Sequence, residues 1–470
     1  MVSKELQARI EEYALQSRQG VVEDLKTLVR IPSISHFGAD GMPFGKGCAQ
    51  VLDKALELAQ GHGLATQNCG YWYGLAQCGE GDKTIGLFSH LDVVPVGNNW
   101  AHDPFDPIEK DGLLIGRGVT DNKNAAVVSM YVMKAFRELG LPLRSKLSLF
   151  FGCSEETGMQ DIEHFVEEQP MPDFSIVPDT DFPVCHGEKG IYSFQAVCKT
   201  PWSRVKELSG GVASNVVPDS AQAVLPPEAA LLAEVKAAAE KTTGITVAEG
   251  PEGLIVSAAG RTAHAARPQA GDNAIKKLLR FLSTLEGLGE SDRAICAFAA
   301  DTIEDCYGEH LGIAFTDEPS GRLTCISGLA HTEEGRLVMG YNIRYSVTHK
   351  GELVTAGLEK AFAPGWELRS ISDSVPMYLP ADDPKVKELC RIYHEVTGKD
   401  ATPYVIGGGT YARHLQNAVG FGMETDTPTG LPEGHGKAHE PDEAVIIDEL
   451  LDAIKIYILS ILEVDELLHR

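Results

Sequence analysis

Three apolar, strand-like runs in the first part of the chain each lead into a residue able to bind a metal ion, which is the pattern of an open α/β sheet with a site at its strand ends. Thr84-Ile85-Gly86-Leu87-Phe88-Ser89 leads to His90, Leu147 to Gly152 leads to Ser154-Glu155-Glu156, and Phe174-Ser175-Ile176-Val177-Pro178 leads to Asp179. Between the first two runs, Ala125 to Leu139 reads as a helix, with Asp121 near its N-terminus. A fifth residue of this kind, His439, follows much later in the glycine-rich stretch Gly434 to Glu443. The expected fold class is α/β, a mostly parallel sheet flanked by helices.

These side chains suit hydrolysis. Residues i and i+2 of an extended chain share a face, so the Asp92 carboxylate is placed to accept the second ring N–H of His90 and fix its tautomer. Of the adjacent Glu155 and Glu156, one can stay ionised on a cation while the other accepts and returns a proton. Singly, a His-x-Asp reads as a hydrogen-bonded pair, Glu-Glu as solvated surface and Asp179-Thr180-Asp181 as turn chemistry. Together they make a carboxylate and imidazole set without thiolates. Such a set suits zinc, manganese or cobalt, with one carboxylate bridging two ions about 3.5 to 4 Å apart.

The motifs Ser89-His90-Leu91-Asp92-Val93-Val94-Pro95, Gly116-Arg117-Gly118-Val119-Thr120-Asp121, Glu155-Glu156-Thr157-Gly158, Pro178-Asp179-Thr180-Asp181-Phe182-Pro183 and His439 appear in this order. The chain thereby resembles, over nearly its whole length, the di-metal exopeptidase family of aminoacylase, carnosinase and peptidase V. Gly407-Gly408-Gly409-Thr410-Tyr411-Ala412-Arg413 is most similar to the bacterial peptidase V-like dipeptidase branch. The resemblance implies that His90 and Asp179 hold one metal ion, Glu156 and His439 the other, and that Asp121 bridges them. It further implies that Asp92 orients His90, that Glu155 is the general base, and that the Asp121–Asn122 peptide is cis. Three segments depart from the family pattern: Asn122-Lys123-Asn124 in place of a Lys-Gly pair, Ser154 in place of an Asp, and the box His439 to Glu443.

The distance from Asp179 to His439 indicates a large insertion. Residues 187–381 are expected to form an inserted α+β lid domain, and 1–186 with 382–470 the catalytic metal-binding domain. Beyond the insertion, Asp383-Pro384 is a good N-cap and first-turn pair for a helix from Pro384 to Thr397 that Gly398 stops. Within it, Gly260-Arg261-Thr262-Ala263-His264 resembles the family's lid histidine motif, which implies that His264 stabilises the developing oxyanion; alone, a histidine there reads as structural. By the same resemblance Asn215, in Ser214-Asn215-Val216-Val217-Pro218, and Arg344, in Tyr341-Asn342-Ile343-Arg344-Tyr345, are substrate residues, Arg344 for a terminal carboxylate. An arginine on an apolar strand equally suits a structural ion pair. Gly409 and Thr410 follow the run Pro403 to Ile406, where successive glycines let backbone N–H groups approach a ligand. No Lys-Ser or Lys-Thr follows them, so this is not a phosphate-binding loop.

The 470 residues, 43% hydrophobic, suffice for two domains or more. A net charge of −26 argues against nucleic acid or an anionic membrane as partner. No apolar stretch reaches membrane-spanning length, and the N-terminal residues read as an amphipathic helix rather than a signal peptide, so the expected location is the cytoplasm. The ten cysteines form no Cys-x-x-Cys pair; Cys153 and Cys185 fall close enough to the site to suggest sensitivity to thiol reagents. The function implied is a metal-dependent dipeptidase with two divalent ions, zinc by preference and manganese or cobalt as alternatives, acting on a small peptide as a monomer. The alternatives are an N-acyl-amino-acid deacylase using the same ions and base and, more remotely, an inactive binding or scaffold protein.

Overall fold

The structure, a computed structural model, describes residues 3–38, 41–424, 428 and 430–470. The chain forms two compact units. One comprises Met1–Gly187, Met377–Val405 and Gly409–Arg470, and the other Glu188–Pro376 with Ile406–Gly408.

The first unit is built on a nine-stranded sheet. Its centre is parallel: Lys146–Gly152 pairs with Thr84–His90, which pairs with Phe174–Val177, which pairs with Ala418–Gly420. Antiparallel strands flank this centre, with Tyr73–Cys78 and Ala65–Cys69 on one side and Cys185–Glu188 on the other. The central strands are continuous apolar runs because layers cover both of their faces; Ile85, Leu87, Phe88, Leu147, Leu149 and Phe151 are all buried. Helices Lys4–Val29, Lys123–Glu138 and Ile447–Leu468 pack on one another. Lys123 begins the most buried helix, and its Nζ donates to the carbonyls of Leu28 and Ile31, each at 3.1 Å, where the first helix ends. Full burial lowers its pKa to about 8. Helix Pro384–Thr397 is capped by the Asp383 side chain, which accepts from the N–H of Lys385, and it stops at Gly398 with φ 70°.

The return from the insertion comes at Met377–Tyr378, which already joins the first unit's sheet, and the N–H of Leu379 donates to the carbonyl of His186. The second unit is an antiparallel eight-stranded sheet, in the order Ile245–Gly250, Gly253–Ala259, Ser220–Leu225, Glu207–Gly210, Thr324–Glu333, Arg336–Tyr345, Gly190–Cys198 and Trp366–Ser374. Helices Ala229–Ala239, Ala274–Leu282, Gly289–Asp301 and Gly351–Phe362 belong to it, and its core is separate. The two units therefore make an α/β fold with a parallel-centred sheet and an α+β insertion. Among the described residues no helix is long and apolar enough to cross a membrane.

Candidate metal centre

The three adjacent parallel strands deliver their polar residues to one edge of the sheet. His90 is the last residue of its strand, Glu155–Thr157 forms a 3-10 turn just past Gly152, and Asp179 lies two residues past Val177. Asp121 precedes helix Lys123–Glu138 across a cis peptide to Asn122. His439 comes from the loop before strand Ala444–Ile446.

These five residues gather into two groups, His90 with Asp121 and Asp179, and Asp121 with Glu156 and His439. The two Asp121 oxygens are divided between them: Oδ1 lies 2.8 Å from His90 Nε2, and Oδ2 lies 2.9 Å from His439 Nε2. His90 Nε2 is also 3.6 Å from Asp179 Oδ1, and His439 Nε2 is 2.9 Å from Glu156 Oε1. His90 Nε2 and Asp121 Oδ1 are buried yet make no hydrogen bond. In the first group, two buried atoms that converge without a hydrogen bond fit a cation between them, while in the second His439 Nε2 is hydrogen-bonded to Glu156 Oε1; the oxygen and imidazole donors of both fit a borderline divalent ion.

The electrostatics agree. Burial pushes the Glu155 carboxyl well above the ordinary range, and the negative charges of Asp179, Glu156 and Asp121 add to this while His90 opposes it. Burial alone would lower His90, but the carboxylates of Asp179, Asp121 and Asp92 hold it well above its ordinary value. Hydrogen bonding to Asp121 and Glu156 raises His439 to about 11. Burial would raise Asp121, but His439 and His90 hold it below the usual carboxylate range. The cluster carries an excess of buried negative charge, which cations would offset.

The sequence profile of peptidase family M20/M25/M40 matches residues 86–463. The chain belongs to this family. It is a hydrolase of the metallopeptidase class. Over 463 residues it is 32% identical to YtjP of Bacillus subtilis (strain 168), a protein provisionally named a dipeptidase, covering 96% of this chain and 98% of that one. It is 30% identical over 464 residues to the Beta-Ala-Xaa dipeptidase of Lactobacillus delbrueckii subsp. lactis, covering 96% and 97%. The fold is similar to that of human carnosine dipeptidase 1, with TM-score 0.53 and 19% identity over 98% of this chain and 99% of that one.

Several contacts that shape this M20 site have no local sequence signal. His90 Nδ1 donates to the main-chain carbonyl of Asp92 at 3.0 Å, and the Asp92 carboxylate stands farther off, at 3.4 Å. That carboxylate instead accepts the N–H groups of Glu155 and Glu156, at 3.3 and 3.2 Å. Asp92 therefore holds the carboxylate turn as well as facing the histidine. Asn122 donates to the Pro178 carbonyl and to Asp179 Oδ1, at 2.6 and 3.1 Å, which ties the residue after Asp121 to the segment that follows strand Phe174–Val177.

Glu443 is the largest omission from the sequence reading. Fully buried, its Oε1 accepts the N–H groups of Gly118, Thr120 and Asp121 at 3.0, 2.9 and 3.1 Å, and its Oε2 accepts from Arg117 Nη1 at 2.6 Å. Arg117 Nη2 in turn donates to the carbonyl of His439 at 3.2 Å. The pair thus joins the Asp121 loop to the His439 loop. Only the charged residues inside both motifs could have hinted at it.

The sensitivity expected of Cys153 and Cys185 is corrected by their burial, at 1% and 0% exposure. The Cys153 thiol is also pushed well up, by a side-chain hydrogen bond with Cys48 and then by burial, so it is both inaccessible and protonated.

In the second unit, Val216 and His264 form a β-bridge, and the Asn215 carbonyl accepts the N–H of Ala265 at 2.9 Å. The Thr324 hydroxyl donates to the carbonyl of Ala265, and Thr324 stands opposite Arg344 across the sheet, so Asn215, His264 and Arg344 share one region. His264 Nδ1 accepts the N–H of Ala266, which leaves Nε2–H as the ring's donor. Burial lowers the pKa of His264, and Arg344 and Arg267 add to this, so the ring is neutral near neutral pH. Arg344 is buried and donates from Nε to Asn342 Oδ1 at 2.8 Å and from Nη1 to the Gly407 carbonyl at 2.9 Å. In the first unit, Thr410 Oγ1 caps the turn Tyr411–His414 by accepting the N–H of Ala412. Gly409 leaves no room for a Cβ beside the Arg413 guanidinium.

Proposed function

We propose that this M20 chain is a dipeptidase that hydrolyses dipeptides with two divalent ions and Glu155 as general base. The observation that carries the reading is the sharing of Asp121 between His90 and His439, one carboxylate oxygen to each. Two ions held by His90, Asp121 and Asp179 and by Asp121, Glu156 and His439, zinc by preference with manganese or cobalt as alternatives, would polarise the scissile carbonyl and acidify the attacking water. Glu155 lies on the same turn as Glu156, and its raised pKa suits a group that takes a proton from that water and gives it to the departing amine. Asp92 keeps both glutamates in register by accepting their N–H groups.

His264, Asn215 and Arg344 are assigned to the substrate. The Nε2–H of a neutral His264 donates to the oxyanion, Asn215 to the same oxygen or the substrate backbone, and Arg344 to a terminal carboxylate, with Gly409 and Thr410 contributing close backbone contacts. The inserted unit acts as the lid, and the protein works as a cytoplasmic monomer on small peptides. The names of the relatives, one a Beta-Ala-Xaa dipeptidase and the other provisionally named a dipeptidase, support the substrate class. Glu155→Gln tests the assignment: metal content is expected to persist while kcat falls by at least about 100-fold. Full activity in that variant would sink it.

A further inference from the structure

Asp161 is a fully buried carboxylate that the chemistry above does not use. It lies in the first turn of helix Gln160–Glu168, and hydrogen-bond donors of the chain surround it. Its Oδ2 accepts three: the N–H of Cys153 at 2.6 Å, the N–H of Ser154 at 2.8 Å and the Tyr411 hydroxyl at 2.5 Å. Its Oδ1 accepts the N–H of Ile162 at 2.8 Å. Cys153 and Ser154 open the turn that carries Glu155 and Glu156, and Tyr411 directly follows Gly409-Thr410. The same oxygen therefore holds both segments.

A separate observation points the same way. Gly152 ends the strand before the turn, and a Cβ there would run into both the Tyr411 hydroxyl and the Asp161 carboxylate. A side chain at this position would push the pair apart. The Tyr411 ring also meets His90 edge-on, with centroids 6.4 Å apart. Packing alone would be served by phenylalanine, so the hydroxyl has a use beyond filling space.

We infer that Asp161 and Tyr411 are positioning residues that lock the Gly409–Thr410 segment to the carboxylate turn, keeping a substrate-contacting backbone and the Glu155 carboxylate at one fixed offset. The inference rests on the reading of Glu155 as base and of Gly409–Thr410 as a substrate contact. Its energetic logic is that a buried carboxylate satisfied by a hydroxyl and main-chain donors loses its geometry when one donor goes. A small displacement of a reacting group is costly in rate.

Tyr411→Phe removes only the hydroxyl, and Asp161→Asn weakens the acceptor while keeping its shape. Tyr457→Phe, which loses a buried hydroxyl bonded to the Phe421 carbonyl, is the control for general loosening. Tyr411→Phe is expected to keep its metal content, to lose kcat by about 10- to 100-fold, and to show faster amide exchange in both 150–158 and 408–413. Tyr457→Phe is expected to leave kcat and both segments unchanged. Faster exchange confined to 408–413, or an undiminished kcat in Tyr411→Phe, overturns the proposal. If Asp161→Asn fails to fold, Tyr411→Phe decides alone. A wild type that turns over no dipeptide would defeat the functional reading, while the exchange pattern would still decide the coupling.

Discussion

Replacing Glu443 with Gln should damage the candidate metal centre without touching any of its proposed ligands. Arg117 and Glu443 are 1% and 0% exposed, so the substitution leaves a guanidinium buried without its counter-charge. Removing one partner of such a pair costs about 3 to 5 kcal/mol. The N–H groups of Gly118, Thr120 and Asp121 would also bond a neutral acceptor in place of a charged one, a loss of about 1 kcal/mol each before relaxation. Urea unfolding should therefore show a destabilisation of at least about 3 kcal/mol. Because the pair anchors both the Asp121 loop and the His439 carbonyl, chelator competition should show metal affinity falling about 10- to 100-fold. The double variant Arg117→Met/Glu443→Gln should recover part of the stability and none of the affinity. A destabilisation below about 1 kcal/mol, the range of an exposed pair, with unchanged metal affinity would refute the reasoning.

Three further outcomes are expected. Lys123 titrates near 8 in the folded chain against 10.5 when unperturbed, so the unfolded chain binds the extra proton between those values and stability rises with pH across that window. Relative to Lys123→Met, the wild type should gain up to about 3 kcal/mol there; a flat difference in urea unfolding would contradict the burial argument. His264→Ala should keep its metal content and lose about 100- to 1000-fold in kcat, and an unchanged kcat would remove it from the reaction. Arg344→Lys should raise KM for dipeptides by about tenfold or more, since lysine cannot reproduce a bidentate contact; equal KM values would return Arg344 to a structural role.

Where the determinant is local, the sequence carried it. An apolar run followed by a histidine or carboxylate places His90, Glu155, Glu156 and Asp179 at strand ends, and Asp383-Pro384 with Gly398 marks both ends of one helix. Glu443 and Arg117 stand 326 positions apart, and Asp161 and Tyr411 250 apart, so neither pair leaves a periodic or short-range trace. The strands Met377–Tyr378 and Ala418–Gly420 are too short to show alternation. Lys123 ran against pattern altogether: a charge at the start of a buried helix is legible only once the carbonyls at the end of the first helix are seen beside it.

The central claim is tested most directly by hydrolysis of a dipeptide panel, run beside N-acetyl and N-succinyl amino acids, with chelator-stripped protein and zinc, manganese or cobalt restored singly. The account predicts no turnover from the stripped protein and recovered dipeptide hydrolysis on metal addition. Undiminished hydrolysis after stripping, or full metal occupancy with only the acylated amino acids cleaved, would contradict it.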